Sequence, residues 1–246
     1  MRQTKDLLQM LLCVFILLEA TFVIHEYGHL RELQKQDIPV KEFSLGVGPL
    51  VYQYQTDSSL AISFRFIPIM AYIEPTEDGK NILKQKGFLD KLMVYSAGVR
   101  NNLLVSVLIV LFLQVLGWRR GNISGQELSK IVIITPFKIL LRFFAFVVGC
   151  VTLTRVNMVE KFLLSTGCIV PSVPINVFIV FNLIMCFVNL MPISPFDGRH
   201  ILESILLATG TNIHMPDIPE FVGIMFFATF YAIFCGQDMR VLEVDQ

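Results

Sequence analysis

Apolar positions fill residues 7–24, broken only by Gln9, Glu19 and Thr21. A run of that length predicts a helix reaching most of the way across a bilayer. Similar runs follow at 92–116, 173–191 and 218–234. The second is interrupted by Gly98, Arg100, Asn101 and Asn102. Three consecutive polar residues at that depth are expected to face protein or a cavity, with Arg100 alternatively snorkelling to the headgroups. Between residues 40 and 74 the period shifts from helical to alternating. Residues 51–55 and 60–66 each alternate bulky with small or polar side chains, and Thr56-Asp57-Ser58-Ser59 between them is a turn cluster. This predicts a β-hairpin, entered through a flexible bend that carries Gly46 and Gly48.

Composition agrees with a membrane protein. The chain has 246 residues, 54% hydrophobic and 16% charged, with zero formal net charge, and its mean hydropathy is +0.64. Nothing in that balance points to nucleic acid. Five cysteines lie in or beside apolar stretches without paired spacing, so they read as small buried hydrophobes. The first run lacks a small-residue cleavage site and is expected to stay in the mature protein. The fold expected is a polytopic α-helical membrane protein forming one domain over 1–246. It has about four transmembrane helices and a small membrane-associated β-hairpin over about 44–75.

Residues 136–153 are the ambiguous segment, apolar yet carrying Lys138 and Arg142 on one helical face. The charge pattern decides how to read them. The connection between the first two spans holds Arg31, Lys35, Lys41, Arg65, Lys80, Lys84, Lys86 and Lys91. That side is therefore cytoplasmic and the N-terminus outside, in a multi-pass cell-membrane protein. Residues 136–153 are then read as an interfacial or re-entrant helix, because a further crossing would place the end of the 173–191 run on the wrong face.

That matters because of the chemistry at the end of the first run, His25-Glu26-Tyr27-Gly28-His29. Histidines four apart on a helix share a face and can bind one metal ion. Glu26 beside them is placed as general base for the attacking water. Asp197, just past the 173–191 run, is the best third ligand. Two imidazoles, one carboxylate and an open position point to zinc, one per chain, with its site near the cytoplasmic side. Asn189, two turns before Asp197, is a candidate for holding substrate backbone or an oxyanion, while His200 and His214 read as supporting or interfacial residues. Glu19 reads either as a wall of the site's water-filled cavity or as a hydrogen-bonded carboxyl against a neighbouring helix. A substrate helix has to unwind before cleavage, and an exposed strand edge along residues 60–66 is expected to hold it extended. The candidate substrate-binding residues there are Gly46, Gly48, Phe64 and Phe66.

These stretches resemble the site-2 protease family of intramembrane zinc metalloproteases. The resemblance runs through residues 25–29, 43–49, 67–73, 97–102 and 189–198, most specifically the first and last. It implies that His25, His29 and Asp197 bind zinc, that Glu26 is the base, and that the hairpin is a membrane-re-entrant sheet engaging substrate. It also implies that Asn102 and Asn189 lie near the substrate path. Two departures stand out: Met70-Ala71 where the family commonly has Gly-Gly, and Phe196-Asp197-Gly198-Arg199 in place of Leu-Asp-Gly-Gly. No PDZ segment separates the second span from the Asp-bearing one, as in compact members. The expected function is endoproteolysis of a membrane-embedded peptide or the span of a regulatory protein, with the lipid bilayer as the other partner. The rival readings are a catalytically silent membrane scaffold or substrate-binding relative, and a transporter.

Overall fold

The computed structural model describes residues 2–56, 60–119, 124 and 173–211. The hairpin turn at 57–59, the segment 136–153, the run 218–234 and His214 lie outside them. Two compact units are distinguished, Met1–Phe187 and Val188–Gln246.

The first unit opens with α1 (Arg2–Lys35), in which Leu11–Lys35 is long and apolar enough to cross a membrane. Its polar end closes in a Schellman turn. Asp37 takes a left-handed φ of 57°, Ile38 N–H bonds to Leu33 O at 2.9 Å, and Asp37 N–H bonds to Gln34 O at 3.1 Å. The apolar contact that accompanies such a turn is present, since Leu33 and Ile38 are both buried and packed with Val94. This closure aims the chain into β1 (Val40–Gln55), which pairs with β2 (Ala61–Pro75).

Both strands bend, so the sheet is more elaborate than a simple hairpin. The predicted flexible bend lies inside β1, where Gly46 and Gly48 have φ of 89° and 88°. Residues 42–45 have partners on both flanks. On one side they run antiparallel to 71–74, from Glu42↔Glu74 to Leu45↔Ala71. On the other they face 61–64 with both numbers rising together, from Glu42↔Ala61 to Leu45↔Phe64. Residues 61–65 then pair outward with 50–55, as in Tyr54↔Ile62 and Tyr52↔Phe64. Residues 61–64, at the centre of the stretch expected to be an exposed edge, are therefore interior to the sheet. Among the described residues, 50–55 and 71–75 are paired on one flank only, so they form the two edges, and 50–55 is the one beside the 60–66 stretch. An alternating pattern identifies a strand but not its order in a sheet, which long-range pairing decides.

One face of this sheet packs on α1 through buried Leu30, Phe43 and Leu60, with Val23, Val40, Leu45 and Ile73 around them. Burying each large anchor is worth about 1.5–3 kcal/mol. After β2 come α2 (Glu77–Gln85), capped by the Thr76 hydroxyl accepting from Gly79 N–H, then α3 (Phe88–Tyr95) and α4 (Ala97–Arg119). Phe88–Tyr95 and Ala97–Leu113 together pass as a membrane span bent by 50°. The run predicted over 92–116 is thus broken at Ser96. The last helix to begin in this unit is α5 (Val173–Asn189).

The second unit, among the described residues, holds a tight turn over 190–196 and α6 (Asp197–Ala208). Gly198 is required there, because a Cβ would run into the carbonyls of Leu190 and Met191.

Candidate metal centre

His25 and His29 sit one turn apart on α1 in an edge-to-face arrangement, with ring centroids 4.9 Å apart and planes at 68°. Their Nε2 atoms are 3.3 Å from each other. Two nitrogens each about 2.0–2.1 Å from one tetrahedral ion stand about 3.3–3.4 Å apart, so the pair already has the spacing of two zinc ligands. The outer nitrogen of His29 is fixed as well. Its Nδ1 lies 2.9 Å from Val94 O, and since a carbonyl only accepts, the proton sits on Nδ1 and the Nε2 lone pair is left for a metal. Val94 O is available because the helix breaks just beyond it, at the junction of α3 and α4.

Two glycines make the approach of α4 possible. A Cβ at Gly28 would lie 2.6 Å from Ala97 O and 2.8 Å from Asn101 Cβ. A Cβ at Gly98 would strike His25 Cε1 and stand 2.5 Å from Nε2 of both histidines. The helices are latched by Asn101 Nδ2 donating to Ile24 O. An N–H···N bond between the rings would tolerate the same 3.3 Å spacing. A glycine clearing the space beside both metal-facing nitrogens, with a carbonyl fixing the far side of one ring, fits a shared ion better. His25 is buried at 2% exposure, and Glu26, between the two histidines in sequence, is half-buried.

Asp197, in the second unit, is the first residue of α6. A carboxylate there is favoured by the helix dipole, and the 190–196 turn sets its position. Arg199 is buried and paired with Glu203 at 3.2 Å. His200 is half-exposed and 3.6 Å from the same carboxyl, consistent with a supporting rather than a ligating position. Asn189 is buried at the end of α5.

In the first unit, Asn102 is fully buried in α4 and donates to Thr21 O at 3.5 Å. Gly46 is buried against Ile67, where a Cβ would lie 2.5 Å from the Ile67 carbonyl oxygen. Gly48 is exposed, and its carbonyl accepts from Arg65 at 3.0 Å. Phe64 and Phe66 are 42% and 72% exposed, and Leu50, Val51, Tyr52, Tyr54, Ile67 and Ile69 of the same two strands are exposed as well. The hairpin thus carries a broad apolar outer surface over a polar centre. In that centre Arg65 donates to Glu42 at 2.7 Å and to Ser44 Oγ at 2.9 Å. Burial pushes the Glu42 carboxyl up, but hydrogen bonds from Arg65 and Ser63 and the Arg65 charge outweigh it and hold the group below the ordinary carboxylate range.

Glu19 accepts from Met70 N–H in β2 at 3.2 Å, so its hydrogen-bond partner is a strand and not a neighbouring helix. Met70 has a left-handed φ of 70°. Glycine, which the resemblance implies at this position, adopts that backbone without steric cost, so methionine strains it here. Sequence reasoning missed Val94, whose role lies in its carbonyl and leaves no side-chain signal. It noticed Gly98 only as an interruption. It also missed Asn182, although a polar residue inside an apolar run was signal enough.

Known proteins similar to this chain carry metalloprotease names. The profile of Peptidase family M50 matches residues 13–233. A candidate zinc metalloprotease of Nostoc sp. is 30% identical over 109 residues, covering 41% of this chain and 30% of that protein. A candidate zinc metalloprotease of Synechocystis sp. is 33% identical over 103 residues, covering 38% and 28%. The chloroplastic membrane metalloprotease ARASP of Arabidopsis thaliana is 31% identical over 108 residues, covering 40% and 24%. The chain thus spans less than a third of the length of these curated relatives. With the match running through nearly the whole sequence, this chain belongs to Peptidase family M50.

Proposed function

We propose that the protein is a zinc metalloprotease that cuts peptide bonds within the membrane, with His25, His29 and Asp197 as ligands and Glu26 as general base. The observation carrying this reading is the 3.3 Å spacing of the two Nε2 atoms, with Val94 O fixing the His29 tautomer. Family membership and the metalloprotease names of the relatives support it.

When bound, zinc supplies Lewis-acid activation of water and of the scissile carbonyl. The chain's own residues do the rest. Nε2 of His25 and of His29 offer lone pairs on one side, and the Asp197 carboxylate adds the negative charge that balances a divalent cation. Glu26 takes the proton of the attacking water and returns it to the leaving nitrogen, so its carboxylate is regenerated each turnover. The apolar outer surface of the hairpin receives an extended substrate, whose backbone adds to the edge at residues 50–54. Asn189 holds substrate backbone, and Asn102 lies behind the histidines against α1.

In the cell this is a multi-pass membrane protein of about four spans, N-terminus outside, with its site near the cytoplasmic face. Its substrate is a membrane-embedded peptide or the span of a regulatory protein. Mass spectrometry of membrane peptides from cells carrying the intact chain or Glu26→Gln tests this. Peptides that accumulate uncut only with Glu26→Gln are expected, and identical peptide profiles would refute it.

A further inference from the structure

We propose that the buried amides of Asn102 and Asn182 hold one water molecule between α1, α4 and α5, and that this water supplies the hydrolytic site one helical turn away. The second half rests on the protease reading above; the first does not.

Both asparagines are completely buried, and both lie against Thr21. Asn182 Nδ2 donates to Phe178 O at 2.9 Å and to Thr21 Oγ1 at 3.3 Å. Asn102 Nδ2 reaches Thr21 O at 3.5 Å. Because backbone carbonyls only accept, these contacts fix which end of each amide is nitrogen. The two Oδ1 atoms therefore point elsewhere, and among the described residues no donor reaches either. Neighbouring hydroxyls do not provide one, because Thr21 Oγ1 donates to Leu17 O at 3.0 Å and Ser106 Oγ to Asn102 O at 2.9 Å. Pinning helices together explains the nitrogens but not the oxygens.

Two buried acceptors call for two donors, and one water carries two. Thr21 precedes His25 by four residues on the same helix, so the site is about 6 Å, just over one turn, deeper than the first metal-facing imidazole. A protease working among lipid tails must obtain water where bulk water is excluded, and a polar pocket of this kind is a place to keep it.

The test is a structure of the intact zinc-loaded protein at a resolution that shows ordered water, paired with Asn182→Leu. A water within about 2.7–3.2 Å of both Oδ1 atoms that disappears in Asn182→Leu is expected; protein donors on these oxygens, or no water, overturns the proposal. In solution, Asn182→Leu is expected to lower kcat on the order of tenfold while zinc content and KM stay unchanged. An unchanged kcat overturns the supply role. Should the intact chain bind this water but cut nothing, the protease reading falls and the water site stands.

Discussion

The corner holding the two imidazoles and the hairpin differ in what surrounds them. Around His25 and His29 the neighbours are backbone atoms and places where a side chain is missing: Val94 O, Ala97 O, Gly28 and Gly98. The hairpin instead turns large apolar side chains outward, with Phe66 at 72% exposure and Val51 at 65%, and it carries Met70 in a glycine-like conformation. Metal ligands have to be placed within fractions of an ångström, so their setting admits almost no variation. On the proposed reading the hairpin receives a substrate strand through main-chain bonds and a general apolar character, which tolerate substitution more readily.

The sharpest break of this contrast is chemical. Glu26→Gln is expected to lower turnover by about 10²–10⁴-fold while zinc stays bound, measured as cleavage rate and metal content of one preparation. Next is Gly98→Ala, the smallest side chain possible, whose methyl would press on both Nε2 atoms. Zinc affinity is expected to fall about 10–100-fold with helix content unchanged in circular dichroism. An equal loss from alanine at exposed Gly48 would erase the distinction between the two regions.

Within the hairpin, proline at Tyr54 on the edge should abolish cleavage and leave zinc bound. Proline at Ile62, paired on both flanks, should unfold the sheet and be read as proteolytic sensitivity. Acid gives a smaller effect. The Glu42 carboxyl is held below its ordinary range, so its stabilising share is present above the unfolded value of about 4.3 and is lost as pH falls through the lower folded value. Glu42→Gln should remove that acid-dependent step from unfolding curves. Smallest of all, Met70→Gly should relieve the left-handed strain and stabilise the hairpin by about 1 kcal/mol.

The legible parts of this molecule were those written in side chains. Histidines four apart at the end of an apolar run declare a metal pair, and alternation over 51–55 and 60–66 declares strands. What was not legible came from the backbone and from distant pairing. The carbonyl of Val94 becomes a partner of His29 only because a helix breaks at Ser96. Which strands form the edges depends on residues 42–45 inserting between 61–64 and 71–74, and no local pattern records that insertion. Gly98 falls between the two cases, visible as an interruption but meaningful only once two imidazoles lie against it.

Zinc K-edge X-ray absorption on the intact chain and on Asp197→Ala tests the central claim most directly. Two imidazole nitrogens and a carboxylate oxygen at about 2.0–2.2 Å are expected in the intact protein, with the carboxylate lost and affinity sharply reduced in the variant. The same zinc spectrum from both proteins, or no stoichiometric zinc in the intact one, would contradict the assignment of His25, His29 and Asp197 to a single ion.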